Sequence, residues 1–188
     1  MKKLEEMSLE ELWQLFPIYL TEHKHVWRSW YEEEQALLIE RLPEPQVRRI
    51  SHAGSTAIET IWAKPIVDII VETEEDSDWQ NISSILASIG YRCMSRTDKR
   101  LSFNKGYTEN GFADKVYHLH LRYFGDNDEL YFRDYLKEHQ EIAKEYEELK
   151  LELWKIYEHN RDAYTDKKTA FVKKYTGAAK SAYKGRYS

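Results

Sequence analysis

RRISHAGSTAIETIWAKPIVDIIVE, Arg48 to Glu72, is the stretch whose reading decides the fold. A short β-prone run ends at His52, Gly54-Ser55 turns the chain, a few helix-tolerant residues follow, and an extended apolar run occupies Pro65 to Val71. Asp68 stands inside that run, among Ile66, Val67, Ile69 and Ile70. An ionised carboxylate is costly in apolar surroundings unless a cation, a donor or water meets it. A Gly-Ser turn bends without a Cβ clash and offers amide N–H groups and a hydroxyl to an anion. If the two runs are neighbouring strands, Asp68 faces the same cleft, where carboxylate oxygen suits Mg²⁺ on bound phosphates. The plainer reading is a tight turn in which Ser55 caps the following residues, with Asp68 paired to a nearby Lys or Arg. Spacing alone leaves both readings open.

Upstream, Ser8-Leu9-Glu10-Glu11 has the form of a capping box, and Leu9, Leu12, Trp13 and Phe16 make a helical stripe that Pro17 ends. Ile18-Tyr19-Leu20 predicts a short edge strand. Val26, Trp27, Trp30, Tyr31, Leu37 and Leu38 predict a long amphipathic helix from about His23 to Leu42, its aromatic stripe read as core. Downstream, Asp78 is the expected N-cap of a helix carrying Trp79, Ile82, Ile85, Leu86 and Ile89, closed by Gly90. Tyr91 to Met94, Leu101 to Lys105 and Lys115 to Tyr123 read as strands, the last two joined through the turn-rich segment from Gly106 to Gly111.

In Val116-Tyr117-His118-Leu119-His120-Leu121 the period of two sends His118 and His120 to one face and Tyr117, Leu119 and Leu121 to the other. Two imidazoles opposite Asp68 suit Zn, Mn, Ni or Fe better than Mg²⁺. Either ring, with an unperturbed pKa of about 6.5, is also suited to take a proton from an attacking hydroxyl. The alternative is a solvent-facing pair on a half-exposed sheet.

From Asp128 the chain reads as helices only. The first carries Leu130, Tyr131, Tyr135 and Leu136, with Arg133-Asp134 either pairing locally or aiming a guanidinium at phosphates. A break is expected at His139-Gln140, then a long helix from Ile142 to Tyr157, then a third from about Tyr164 to Tyr183 with Lys168 on its first turns. The expected fold is α/β (α+β), a mixed β-sheet with helices packed on it. The chain is read as one domain over 1–188, with a helical cover at 1–47, a sheet-containing core at 48–124 and a helical segment at 125–188.

His52-Ala53-Gly54-Ser55-Thr56-Ala57, followed by Ala63-Lys64-Pro65-Ile66-Val67-Asp68-Ile69, resembles the signature of the GrpB-like family, a branch of the nucleotidyltransferase superfold. The likeness continues in His118-Leu119-His120, in Phe132-Arg133-Asp134-Tyr135-Leu136, and in Arg161-Asp162-Ala163-Tyr164 with Lys168 and Phe171, so it covers most of the chain. The resemblance implies a nucleotidyltransferase-like sheet and a cleft for a nucleotide or phosphorylated small molecule. Gly54, Ser55, Thr56, Lys64, Arg133 and Lys168 are its expected phosphate contacts, and Asp68 and His120 its expected catalytic residues. The expected cofactor is a divalent metal, Mg or Mn, on Asp68, or a transition metal if His118 and His120 also ligate. Two departures stand out. Ile70 occupies the position where the superfold has a second carboxylate, and Glu59-Thr60-Ile61 replaces a Pro-Gly-Leu turn. Nucleotidyl transfer to an acceptor is the implied reaction. The rivals are a degenerate nucleotide- or metal-binding module without turnover, and an interaction protein that uses its acidic edge and aromatic helices.

At 188 residues with 41% hydrophobic and 14% aromatic content, the chain is long and apolar enough for one packed core. Its net charge of -5 argues against a whole-surface affinity for nucleic acid. Lys167, Lys168, Lys173, Lys174, Lys180, Lys184 and Arg186 nevertheless make the last segment basic, and Glu72, Glu74, Glu75, Asp76 and Asp78 suggest an acidic edge. The single Cys93 excludes an internal disulfide and fits a reducing compartment. No apolar run reaches the roughly 20 residues that span a bilayer, and Met1 to Glu6 lacks a signal peptide's apolar segment. A cytoplasmic protein without a membrane partner is expected, and composition does not specify an oligomeric state.

Overall fold

Alternation in one strand creates two unlike sheet faces, and the rest of the chain is distributed between them. In the computed structural model, which describes residues 2–188, the order is α1 (Leu9–Leu15), α2 (Val26–Arg41), β1 (Val47–Ala53), β2 (Val67–Thr73), α3 (Trp79–Ser88), β3 (Arg92–Arg96), β4 (Arg100–Thr108), β5 (Gly111–Tyr123), α4 (Asp128–Glu138), α5 (Gln140–Tyr157) and α6 (Arg161–Ala182). Met1, which opens the polar N-terminal run, lies outside the described residues. The strands form one mixed sheet in the order β1-β2-β5-β4-β3, with β2 and β5 parallel and the other neighbours antiparallel. A parallel pair needs a long crossover, which α3 and the β3–β4 hairpin provide.

Val67, Ile69 and Val71 of β2 and Leu119 and Leu121 of β5 are fully buried on one face, where Trp27 and Leu38 of α2 and Ile82 and Leu86 of α3 cover them. Each such side chain contributes roughly 1.5–3 kcal/mol on burial, so this face holds the main core. Glu34 on α2 is also buried, accepting from the Lys105 ammonium at 2.7 Å and the Tyr91 hydroxyl at 2.9 Å. The aromatic stripe of α2 is core, as expected: Trp27 is completely covered. Asp78 caps α3 by accepting from the amides of Gln80 and Asn81, and the Ser8–Glu11 capping box opens α1.

The other face carries Asp68, Ile70 and Glu72 of β2 beside His118, His120 and Arg122 of β5. Helices α4, α5 and α6 close over it. Ile70 packs on Ala53 and Leu130, which seats α4 on the sheet. Ile58 and Ile61, in the loop that departs from the Pro-Gly-Leu pattern, are buried against Phe132, Leu136 and Tyr146. Glu72 is fully buried rather than part of an acidic edge. Its carboxylate accepts from Arg49 at 2.5 Å, the Asn127 amide at 2.8 Å and the Gly125 N–H at 3.0 Å, tying β1 and β2 to the start of α4.

Three further sequence expectations give way. Ile18-Tyr19-Leu20 is not a strand: Ile18 donates its N–H to Glu158 at 2.8 Å and buries itself against Leu153 and Tyr164, while an isolated bridge joins Thr21 to Ala63. The segment after Gly106 is not loop, because β4 runs on to Thr108. Its register slips between Lys105 and Tyr107, where Gly106 has φ +91° and an added Cβ would meet the Lys115 carbonyl at 2.3 Å. Helix α6 starts at Arg161 instead of near Tyr164, capped by Asn160, whose side chain accepts from the Ala163 N–H at 3.0 Å. Among the described residues no helix is long and apolar enough to cross a membrane.

Candidate functional site

The cleft between the polar sheet face and the helical half has two connected chambers. The inner one, about 260 Å³, lies over Ser55, Lys64, Asp68 and His118 under Lys150, Arg161 and Lys168. The outer one, about 640 Å³, passes His120 and Arg133 towards Lys173 and Lys180. Gly54, Ser55, Asp68, Tyr146, Thr165 and Lys168 belong to both.

Gly54 sets the floor. Its φ of 69° and ψ of −174° fall in a region that is essentially glycine-only, and an added Cβ would lie 2.2 Å from Asp68 Oδ2. The turn and the strand carboxylate are therefore packed against each other. Thr56 is 2% exposed, its hydroxyl 2.9 Å from His52 Nε2. His52 stacks on Tyr31 at 4.7 Å on the opposite side of the sheet, and burial lowers its pKa to about 4. Thr56 thus borders the inner chamber while bracing the turn from behind.

Asp68 Oδ1 lies 3.6 Å from His118 Nδ1 and 3.6 Å from His120 Nε2. Burial alone would raise the carboxyl's pKa, but the two imidazoles outweigh it and hold the group well below the usual carboxylate range. His118 is pushed down by burial, against the pull of Asp68. Behind it, Arg161 Nη1 donates to the Tyr107 hydroxyl at 2.8 Å, and that oxygen lies 2.7 Å from His118 Nε2. Burial raises the Tyr107 pKa, so the phenol keeps its proton. A guanidinium can only donate; Tyr107 therefore accepts from Arg161 and donates to Nε2, which leaves Nδ1–H for Asp68. Alternation would have sent Tyr107 to the face of Phe103 and Lys105. The Gly106 bulge re-aims it to the back of His118, outside the chamber lining.

Cations dominate the inner chamber. Lys150, 2% exposed, donates to Ser55 Oγ at 3.0 Å and to the Trp62 carbonyl at 2.5 Å. Burial and the neighbouring Lys168 charge lower its pKa to about 7, against the pull of Glu147. Lys168 falls to about 8, mainly through burial, with Asp68 opposing. Burial, with the charges of Lys168 and Arg161, holds Lys64 well below the usual lysine range. The ammonium groups of Lys64 and Lys168 lie 5.3 Å and 4.4 Å from the centre of the Tyr164 ring. Among the described residues neither has a hydrogen-bond partner. Arg161 Nη2 is likewise buried and unpartnered.

Of the residues expected from sequence, Gly54, Ser55, Lys64, Asp68, His118 and Lys168 converge on the inner chamber, with His120 just outside it. Arg133 does not join them. Its guanidinium donates to Asp134 at 2.8 Å, the His52 carbonyl at 2.6 Å and the Tyr187 hydroxyl at 2.7 Å, so it is committed to holding α4 against β1. Lys150, Arg161 and Tyr107 were not expected as site residues. Lys150 shares the buried face of α5 with Tyr146 and Leu153, and a lysine on an apolar stripe is the signal that points to it. Arg161 and Lys168 flank buried Tyr164 at i, i+3 and i+7 on α6.

The donor set fits a divalent cation poorly. Among the described residues Asp68 is the one carboxylate lining the inner chamber, against Lys64, Lys150, Arg161 and Lys168, whereas Mg²⁺ and Ca²⁺ sites are built from several oxygens. His118 Nδ1 carries a proton in the arrangement that satisfies Tyr107 and Arg161. Among the described residues no three His, Cys, Asp or Glu side chains converge in metal-binding geometry.

A mixed α/β chain with a cationic cleft between sheet and helices is the class that fold and site define. The model of the GrpB protein family matches residues 17–178, and the chain belongs to that family. Its sequence is 37% identical to the glutamate-rich protein GrpB of Alkalihalophilus pseudofirmus over 161 residues, covering 82% of this chain and 91% of that protein. The crystal structure of the conserved protein GrpB from Enterococcus faecalis superposes with a TM-score of 0.76 at 30% identity, covering 88% of this chain and 99% of that one. The Cid1 poly(U) polymerase is a distant likeness, with a TM-score of 0.47 and 12% identity over 71% of this chain and 42% of that one.

Proposed function

We propose that this chain binds a nucleotide or another phosphorylated small molecule, with the phosphates in the inner chamber and the organic part in the outer. One observation carries the reading: half-buried Lys64 and Lys168 line one chamber with no hydrogen-bond partner among the described residues, beside Arg161, whose buried Nη2 is also unpartnered. Buried polar groups are normally satisfied and buried charges paired, so a ligand with several anionic oxygens is the class such a set takes. Ser55, held by Lys150, adds a hydroxyl at the turn. The inner volume of about 260 Å³ is small beside the roughly 300–1,000 Å³ of whole-ligand pockets. It suits phosphate groups, and the outer 640 Å³ has room for a base and sugar or a group of similar size.

Nucleotidyl transfer is a second reading, favoured by His120 at the passage between the chambers, 3.6 Å from Asp68. In it an acceptor oxygen from the outer chamber bonds to the α-phosphorus, and the bond from that phosphorus to the bridging oxygen breaks. The electron pair leaves on pyrophosphate among the inner cations. His120 takes the acceptor's proton, its ring oriented by Asp68. Positioning and charge neutralisation supply most of the rate in such reactions.

Titration calorimetry with the four ribonucleoside triphosphates and with inorganic triphosphate, with and without Mg²⁺, tests the binding. The expected result is saturable binding that weakens about 10- to 100-fold in Lys168→Met, as loss of a charge-assisted contact predicts. Absence of saturable heat with every one of these compounds in both conditions overturns the reading.

A further inference from the structure

We infer that the ligand enters the inner chamber as the free anion, uncomplexed by metal, and that Lys64, Lys150, Lys168 and Arg161 do the neutralising for which a divalent cation would otherwise be needed. This rests on the reading of that chamber as a phosphate site. Among the described residues Asp68 is its one carboxylate, and none of them offers a second from the same sheet face. Ile70, next on that face of β2, is committed to apolar contact with Ala53 and Leu130. Glu72 is locked by Arg49, Asn127 and the Gly125 N–H. On α4, Asp134 is held by Arg133, Arg186 and Tyr187; Glu129 accepts from Arg122 through Oε1, and its unpartnered Oε2 belongs to a residue that lines the outer chamber and not the inner. At the outer rim Asp128 is paired with Lys180 at 2.7 Å.

Asp68 itself is hemmed in. Gly54 packs against Oδ2, so closely that a Cβ would collide with it, and both imidazoles face Oδ1 at 3.6 Å. A dication placed there would sit beside Arg161 and three lysines with one anionic ligand. A free polyphosphate meets the opposite field: three sets of unpartnered donors and one carboxylate. Complexation by Mg²⁺ removes two negative charges from that ligand and adds a hydration shell that this small chamber must accommodate.

The test is calorimetry on the full chain with inorganic tripolyphosphate, once in EDTA and once in saturating Mg²⁺, repeated with Mn²⁺. The expected result is binding in EDTA that is at least about 10-fold tighter than with either metal. Asp68→Asn, which removes a carboxylate from the chamber, tightens the metal-free complex severalfold, whereas loss of a metal ligand would abolish binding. Binding that requires Mg²⁺ or Mn²⁺, or is equally tight in both conditions, overturns this inference and leaves the phosphate site standing. No binding in any condition overturns both.

Discussion

Gly54→Ala lowers the folding stability by about 2–6 kcal/mol and disassembles the cleft. Two costs combine. A side chain at φ 69°, ψ −174° is strained by roughly 1–3 kcal/mol, and a methyl group 2.2 Å from Asp68 Oδ2 overpacks the contact for a further ~1–3 kcal/mol. The carboxylate can escape the methyl only by rotating away from His118 and His120, which abandons the arrangement that keeps it ionised while half-buried. Against a typical total stability of about 5–15 kcal/mol, the loss is plain in a urea titration. A midpoint unchanged from the wild type would contradict the packing of turn on strand described above.

Lys150→Met separates ligand affinity from stability. The folded protein holds this lysine at about pKa 7, against 10.5 for an unperturbed one. Between pH 7 and 9 the unfolded chain therefore keeps a proton that the folded chain gives up. The unfolded state binds more protons, so stability rises with pH, and the destabilisation, complete below about pH 7, is relieved as pH increases. Lys150, at 2% exposure, accounts for about 2 kcal/mol of that rise; Lys168, with its pKa near 8, acts in the same direction. The lowered histidines, starting from 6.5, have finished titrating below this window. Lys64, held well below the usual lysine range, adds to the same slope, so Lys150→Met should remove about 2 kcal/mol of the pH 7 to 9 rise in stability and leave the share of Lys64 and Lys168. It should also weaken anion binding by about 10-fold or more, since the donor that orients Ser55 and one of the chamber's charges are gone. An unaltered slope would mean that the lysine titrates normally, and the buried cation cluster would lose its main physical support.

Much of this was legible in the chain because the informative signals are local. Period-two alternation put His118 and His120 on one face, and a lone Asp68 in an apolar run announced a polar wall; both face the same cleft. What could not be read depends on distance in sequence or on a register change. Lys150 meets Ser55 across 95 positions. Tyr107 reaches His118 only because the Gly106 bulge reverses the alternation after Lys105, and a glycine-containing segment of that composition reads as loop. Arg133 was ambiguous for a different reason. Its neighbour Asp134 and distant Tyr187 claim the guanidinium, and nothing near Arg133 in sequence discloses Tyr187. Ile70 reads as a missing carboxylate until Leu130 is seen resting on it, when it becomes the contact that seats α4. The charged faces divide in the same way. Glu72 looks like surface in sequence and is structural, whereas Lys168, part of the same basic run as Lys173 and Lys174, lines the cleft to which the family resemblance pointed it.

The central claim is that the unpartnered cations of the inner chamber are waiting for phosphate oxygens. A crystal structure of the chain grown with inorganic tripolyphosphate in EDTA tests it most directly. The account predicts phosphate oxygens within hydrogen-bond distance of Lys64 Nζ, Lys168 Nζ and Arg161 Nη2, with Ser55 Oγ alongside. An anion seated only on the outer Lys173 and Lys180, with the inner chamber holding water, would contradict it.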